Sequence, residues 1–302
     1  MITALREAVR RTPLAKAAIG FQGEHGAYSE EAIFKQFGRD VKTVPAVSIH
    51  EVFNLTEAGA VDLGVVPVEN SVEGSINETY DMLLSSNLTV VGEIVLRVVH
   101  CLIALSSAKL SGIEVVYSHP QALAQCRNFV TSLGVEPIVT YDTAGSVKMI
   151  KEKHLDGAAA IAGERAAEIY GLKVLKKGIE DYSTNSTRFL IVSKDSSSGP
   201  DRPKAPRSGG VSRGSKTSLI FAVPHKPGSL YNALEVFARA KINLTKIESR
   251  PTKERPWEYY FFVDIEGHRK DLKVVKVLSE LAKKTAFLKV LGSYPRSKAD
   301  RP

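Results

Sequence analysis

The run Asp181–Phe189, DYSTNSTRF, crowds hydroxyl and amide side chains ahead of one guanidinium and then enters the apolar stretch Leu190–Val192. Hydroxyls beside an Arg suit the binding of a small acid, and a solvated loop would have the same composition. If the strand begins near Ser186, alternation turns Thr187 and Phe189 to one face and Arg188 to the other, so hydroxyl and guanidinium need not share a pocket. A second polar group, Val66–Ser75 (VPVENSVEGS), lies directly after an apolar strand. Open α/β sheets place ligand sites at the C-terminal ends of strands, which makes Glu69, Asn70, Ser71 and Ser75 candidates to line a cleft. Ser75 with Glu78 three residues on also fits a helix capping box.

Three more segments join a strand to a helix. In SHPQALAQC (118–126), Pro120 suits a first helical turn, leaving Ser118 or His119 near the cap and Gln121 and Gln125 one turn apart on one face. DTAGS (142–146), with Thr143, Ala144 and Ser146, repeats the pattern. So does GEHGAYS (23–29), with Gly26, Ala27, Tyr28 and Ser29. Unpaired N–H groups and the dipole at such helix starts favour a carboxylate or phosphate. Simple capping, by Ser29 in the last case, explains the same residues. GEHGAYS lacks the G-x-G-x-x-G and G-K-S/T signatures of nucleotide sites. Nothing along the chain resembles a Ser-His-Asp triad, a metal cluster or a cofactor lysine with its phosphate cup.

The elements that must position these groups alternate. Apolar runs (17–21, 41–47, 63–68, 115–117, 158–162) interleave with helix-period segments (29–37, 76–84, 121–133, 146–153, 164–170), the pattern of an α/β domain with a largely parallel sheet. Residues 87–105 read as nearly continuous strand, long enough to pass from one sheet to another and connect two lobes. Residues 194–216, rich in Ser, Gly and Pro, read as a flexible linker. Beyond it, strand 217–223, helix 229–240, strands 242–249 and 258–265, helix 272–283 and strand 286–291 spell βαββαβ, the ferredoxin-like order. Residues 294–302 read as a frayed basic tail.

At 302 residues the chain exceeds a single small module, and 43% hydrophobic residues suffice for a full core. The formal charge of +8 sits in the tails and linker, since residues 21–193 hold 14 basic against 21 acidic residues. No basic face for a nucleic acid is indicated there. No apolar run approaches the roughly 18 residues of a membrane span. The first 20 residues are Arg-rich with one acid, in faint likeness to an organellar address, but strand-like apolar sequence resumes by Ala17 and no secretory core is present, so no targeting is expected. Cys101 and Cys126 form no C-x-x-C and fit buried reduced thiols in a cytoplasmic protein.

In order, FQGEHGAYSEEA (21–32), GVVPVENSVEGSI (64–76), SHPQALAQC (118–126), DTAGSV (142–147), AIAGERAAEIYGL (160–172) and NSTRF (185–189) resemble prephenate dehydratase. KPGSL (226–230) and ESRP (248–251) resemble the ACT regulatory domain of the same enzymes. The resemblance implies a catalytic region, 17–193, of two α/β lobes like the type II periplasmic binding fold. Lobe 1 spans about 17–98 plus 182–193 and lobe 2 about 99–181, with the site between them and a ferredoxin-like ACT domain at 217–293. It implies loss of water and carbon dioxide from prephenate to give phenylpyruvate, without a cofactor or metal. Catalytic roles fall on Thr187, Asn70, Ser118 and Gln125, with Arg188 beside them. Gly26, Ala27, Tyr28, Ser29, Glu69, Ser71, Ser75, His119, Gln121, Thr143, Ala144, Ser146, Ser186 and Phe189 would line the substrate site. Thr187 would hydrogen-bond the departing hydroxyl, with Glu69 and His119 as alternative acids.

Phenylalanine, as feedback effector, would bind between ACT domains at Gly228, Ser229, Leu230, Tyr231, Asn232, Glu248, Ser249 and Arg250, in a homodimer or homotetramer. Here Gly228-Ser229-Leu230-Tyr231 departs from the usual GAL followed by a small apolar residue. A fused chorismate mutase module, present in some relatives, has no room in the first 20 residues. Arogenate dehydratase shares these motifs, and a silent amino-acid sensor would share the parts.

Overall fold

The computed structural model describes residues 17–194 and 214–297. The N-terminal segment and most of the expected linker lie outside them. The chain runs β1 (Ala18–Gln22), α1 (Tyr28–Phe37), β2 (Lys42–Ala46), α2 (Ile49–Ala58), β3 (Leu63–Asn70), β4 (Gly74–Ser75), α3 (Asn77–Ser85) and β5 (Thr89–Arg97). Next come β6 (Cys101–Ala104), β7 (Val115–Ser118), α4 (Pro120–Gln125), α5 (Arg127–Leu133), β8 (Glu136–Val139), α6 (Thr143–Lys153), β9 (Ala158–Ala162), α7 (Glu164–Tyr170), β10 (Lys173–Lys177) and β11 (Ser186–Ser193). Last come β12 (Ser215–Ala222), α8 (Ser229–Arg239), β13 (Leu244–Pro251), β14 (Tyr259–Glu266), α9 (Leu272–Lys284) and β15 (Phe287–Pro295).

Three sheets result, ordered β2-β1-β3-β11-β5 with β4 on β3, β10-β6-β9-β7-β8, and β13-β14-β12-β15. In the first, β1 pairs in parallel with β2 and β3, so α1 and α2 are crossover helices. In the second, β7 pairs in parallel with β8 and β9, while β6 runs antiparallel to β9 and β10. Every residue of β9, AAAIA, is buried, as expected of a strand covered on both faces. The third sheet, with α8 and α9, is the expected βαββαβ, and its core gathers Leu219, Phe221, Val236, Phe237, Val263 and Val277.

Several boundaries differ from the sequence reading. The stretch 87–105 is two strands, β5 in the first sheet and β6 in the second, broken at Val98–His100. The helix read at 121–133 divides at Cys126 into α4 and α5. Helix α2, whose Ser48 cap accepts from the Glu51 amide, was not in the reading. β15 continues to Pro295, past the expected start of the tail, and Tyr294 is buried with its hydroxyl 2.6 Å from that of Ser218.

Contacts divide the chain into two compact units, one ending at Ile76 and resuming over Ile94–Phe189, the other made of Asn77–Glu93 and the residues from Leu190. The second unit thus holds α3 and parts of β5 and β11 together with the ferredoxin-like sheet. Inside it, Lys216 and Glu93 form a buried pair, Nζ to Oε2 3.2 Å, with side chains 3% and 0% exposed. Ser297 N–H also donates to Glu93, at 2.8 Å. Removing one partner leaves a charge in low dielectric, whereas removing both does not. Lys216→Ala is therefore expected to destabilise by about 3 kcal/mol, and Lys216→Met with Glu93→Leu by clearly less, in urea unfolding.

Candidate active site

Strand β3 ends at Asn70, and the turn that follows folds back so that Asn70 pairs with Gly74 of β4. The Asn70 side chain is buried, and its Oδ1 accepts the amides of Val72 (2.9 Å) and Glu73 (3.0 Å). Backbone N–H groups only donate, so these two bonds fix which end of the carboxamide is oxygen. The opposite end must be NH2. It donates to Asn185 Oδ1 (2.8 Å) and to Thr187 Oγ1 (3.0 Å). Thr187 thus receives a hydrogen bond, and among the described residues its own proton meets no acceptor. Ser71 laces the two segments together: its amide donates to the Ser186 carbonyl (2.8 Å), its hydroxyl to that of Thr184 (3.1 Å), and it accepts the Ser186 amide (2.9 Å).

The polarity set at Asn70 propagates. Asn185, 1% exposed, accepts through oxygen and so donates through Nδ2 to Gln125 Oε1, at 2.8 Å. The same Gln125 oxygen stands 2.9 Å from His100 Nε2. An amide oxygen cannot donate, so Nε2 carries a proton. Nδ1 of the neutral ring then accepts from the Tyr28 hydroxyl, 2.9 Å away, whose proton also faces Val99 O at 3.0 Å. Burial drives the His100 pKa below its usual value, against the opposing pull of Gln125 and Glu180. Burial likewise pushes the Tyr28 hydroxyl well up.

Of the residues expected at the site, Asn70, Thr187, Gln125 and Tyr28 join this chain, with Ser71 and Ser186 bracing it. His100 and Asn185 join it too and had not been singled out as site residues. The signals were present: His100 breaks an apolar run, and Asn185 opens NSTRF. Strand alternation holds, since Arg188 lies near Glu69, Nη1 to Oε2 3.9 Å, while Thr187 meets Asn70. Phe189 is core, 2% exposed, and Ser75 lies in β4 opposite Glu69.

The other candidates have hydrogen-bond partners or helix positions of their own outside this chain of side chains. Ser118 is fully buried and gives its proton to Ile161 O at 2.6 Å. His119 is the cap of α4, accepting the Gln121 amide at 3.3 Å. At α1 the cap is Ala27, not Ser29, which is buried inside the first turn. The anion at that helix start is the protein's own Glu30, which accepts from Gly26 N (2.8 Å) and Thr43 Oγ1 (2.8 Å) and meets His25 (2.7 Å). Burial would raise the Glu30 carboxyl, but these partners hold it below its usual value. Gly26 has φ +92°, and a Cβ there would lie 2.8 Å from Ala166 Cα, so only glycine lets this turn meet α7. At α6, Asp142 caps the Gly145 amide (2.7 Å) ahead of Thr143 and Ala144, and buried Ser146 donates to Asp142 O (2.8 Å). Glu24 reaches Tyr141 (3.2 Å) and Lys148 (3.1 Å), joining the β1–α1 turn to the start of α6.

A cavity of about 460 Å³ opens between Glu31, Lys35, Arg39, Arg97, Glu164 and Lys177. None of the candidate residues lines it. Among the described residues no three His, Cys, Asp or Glu side chains are grouped to hold a metal. Burial pushes the Cys101 thiol to about 11 and Cys126 higher still, so both are inert. In the second unit, Gly228 (φ 79°) caps α8, which carries Ser229, Leu230, Tyr231 and Asn232, while Glu248, Ser249 and Arg250 lie on edge strand β13. Arg250 Nη2 pairs with Asp81 of α3, at 3.3 and 3.4 Å.

Residues 19–197 match the family model of prephenate dehydratase, and 217–283 that of the ACT domain. The chain is 42% identical over 289 residues to "Arogenate dehydratase/prephenate dehydratase 2, chloroplastic" of Arabidopsis thaliana, covering 93% of this chain and 73% of that protein. It is 41% identical over 284 residues to the bifunctional chorismate mutase/prephenate dehydratase of Aquifex aeolicus, covering 93% and 74%. The prephenate dehydratase of Arthrobacter aurescens, solved with L-Phe, superposes with a TM-score of 0.81 at 31% identity, over 94% of this chain and 91% of that one. A structure described as a novel type of quorum quenching acylase, GqqA, gives 0.82 at 33% identity, over 94% and 100%. The chain belongs to the prephenate dehydratase family of enzymes and carries a C-terminal ACT domain.

His100, buried and neutral, faces Tyr28 from α1, Gln125 from α4 and Glu180, whose carboxylate accepts its amide. A histidine whose folded pKa is depressed adds stability above its usual value of 6.5, and that stability is lost as pH falls. The stability of the parent relative to His100→Gln is expected to be flat from pH 8 to 7 and to shrink below about 6.5, as read by urea unfolding at each pH.

Proposed function

We propose that this enzyme converts prephenate to phenylpyruvate, water and carbon dioxide, with phenylalanine as its feedback effector. Prephenate is a dianion whose ring becomes aromatic when ring carboxylate and hydroxyl leave, so the work is orientation and assistance to a poor leaving group. The observation that carries the reading is the Asn70 amide donating into Thr187 Oγ1, which leaves the threonine proton for an incoming acceptor. A threonine hydroxyl is too weak an acid to protonate hydroxide fully, so Thr187 acts by hydrogen-bonding the oxygen as charge develops. Gly26 N–H is taken by Glu30, Gly145 N–H by Asp142 and Gln121 N–H by His119, so at these helix starts only the remaining first-turn amides could serve the substrate carboxylates. An acylase would need a nucleophile beside a base. Ser118 gives its proton to a backbone carbonyl, both thiols are buried, and Thr187 faces an amide.

We read the enzyme as a cytoplasmic homodimer or homotetramer, with edge strand β13 available to a second copy. Helix α3 supplies a route from the effector domain. Asp81 is held by Arg250 and by Lys253 (2.7 Å), and Lys289 Nζ caps the helix end on the carbonyls of Leu83 (3.0 Å), Leu84 (2.8 Å) and Ser86 (2.6 Å). The same helix follows directly from β4, which pairs with Asn70.

Purified protein given prephenate is expected to release phenylpyruvate, and millimolar phenylalanine to suppress it. Turnover of arogenate alone would make it an arogenate dehydratase, and silence with both substrates but tight phenylalanine binding a sensor. Thr187→Val should lower kcat by about 10² to 10³ with KM nearly unchanged. A raised KM with surviving kcat would make Thr187 a binding residue.

A further inference from the structure

We propose that His100 is a positioning residue for the dehydration, locking the crossing between the two lobes in the arrangement that orients Thr187. The inference rests on the reading that Thr187 donates to the leaving hydroxyl. His100 ends the three-residue break between β5 in the first sheet and β6 in the second. Asn185 lies in the return crossing, and the Val98 amide donates to Asn185 O at 2.9 Å, so the two crossings are bonded to each other. His100 is held at four points. Its amide donates to Glu180 Oε2 (3.0 Å), its carbonyl accepts from Gly178 (2.9 Å) and Ile179 (3.2 Å), and its ring nitrogens meet Tyr28 and Gln125. The ring also stands edge-on to Tyr28, centroids 5.4 Å apart at 85°.

Its partners come from both lobes. Tyr28 opens α1 over the first sheet, and Gln125 closes α4 over the second. A change in the angle between lobes must lengthen one of the two ring bonds. Gln125 would then lose a donor on the oxygen that also anchors Asn185, and Asn185 is the second acceptor of the Asn70 amide. His100 is thus three side chains from Thr187 and touches no reacting atom. It acts by holding Gln125 and Asn185 in place behind Asn70, so that the amide whose sense Val72 and Glu73 fix stays seated against Thr187.

The test compares steady-state kinetics of the full chain with prephenate for the parent, His100→Leu and His100→Gln. Leucine keeps apolar bulk and removes both ring nitrogens, whereas glutamine can still donate to Gln125 Oε1. His100→Leu should lower kcat by about 30 to 100-fold with KM within about threefold, and His100→Gln should recover at least about tenfold of that loss. A kcat within threefold of the parent in His100→Leu overturns the proposal. So does a loss in His100→Gln as deep as in His100→Leu, or a loss expressed in KM alone. Should the leucine variant not fold, Tyr28→Phe removes only the hydroxyl that meets Nδ1 and should lower kcat about 3 to 10-fold, and a parental kcat would overturn the proposal. An active parent with unaffected variants defeats this inference alone. A parent silent toward prephenate defeats the functional reading and this inference with it.

Discussion

Two backbone amides, those of Val72 and Glu73, can only donate, and the Asn70 side chain is buried against them. Every other orientation in the site follows from that constraint. Once Asn70 oxygen faces the turn, its nitrogen must face Asn185 and Thr187; Asn185 then donates to Gln125 Oε1, which also accepts from His100, and His100 in turn accepts from Tyr28. A turn of three residues after a β-strand therefore sets the direction of a threonine proton on a different strand and the tautomer of a histidine in the lobe crossing. Buried amides are usually ambiguous in their flip. Here the backbone removes the ambiguity at one end, and the chain has no freedom left at the other.

The same turn leads into α3, gripped by Arg250, Lys253 and Lys289 within the ferredoxin-like unit. The residue that resemblance assigns to effector recognition, Arg250, thus holds a carboxylate on a helix that begins two residues after the strand paired with Asn70. On the proposed reading, the turn that orients Thr187 and the helix gripped by the ACT domain share a short stretch of chain. This explains physically why the second unit takes in Asn77–Glu93, a segment that sequence order alone gives to the first.

The sequence made some of this legible and concealed the rest. Alternating apolar runs gave the α/β order, and βαββαβ was readable because each strand and helix there is long enough to show its own period. NSTRF predicted the opposed faces of Thr187 and Arg188, because a strand's period of two needs no tertiary information. Ser118 and Ser29 read as polar site residues, but burial and a carbonyl partner at Ile161 turn the first inward, and α1 starts one residue after Ala27. Gly26 read as an anion-binding amide. Glu30, a helical turn away in sequence, supplies the anion itself. His100 escaped notice because a lone polar residue in an apolar run shows no partner until Gln125 and Tyr28 are folded against it. Conversely, the break of β5 from β6 at Val98–His100 was invisible because apolar strand sequence continues on both sides of it.

The most direct test of the account is a double-mutant cycle on kcat with prephenate, using Asn70→Asp and Thr187→Val. Aspartate keeps the acceptor for Val72 and Glu73 and removes the donor to both Thr187 and Asn185, so the cycle with Thr187→Val isolates the part of the loss that runs through the hydrogen bond aiming the hydroxyl. The account predicts strong coupling, with the double variant no slower than the more damaged single variant within about threefold. Losses that multiply, each substitution costing as much in the presence of the other as alone, would show that Asn70 and Thr187 act independently and would contradict it.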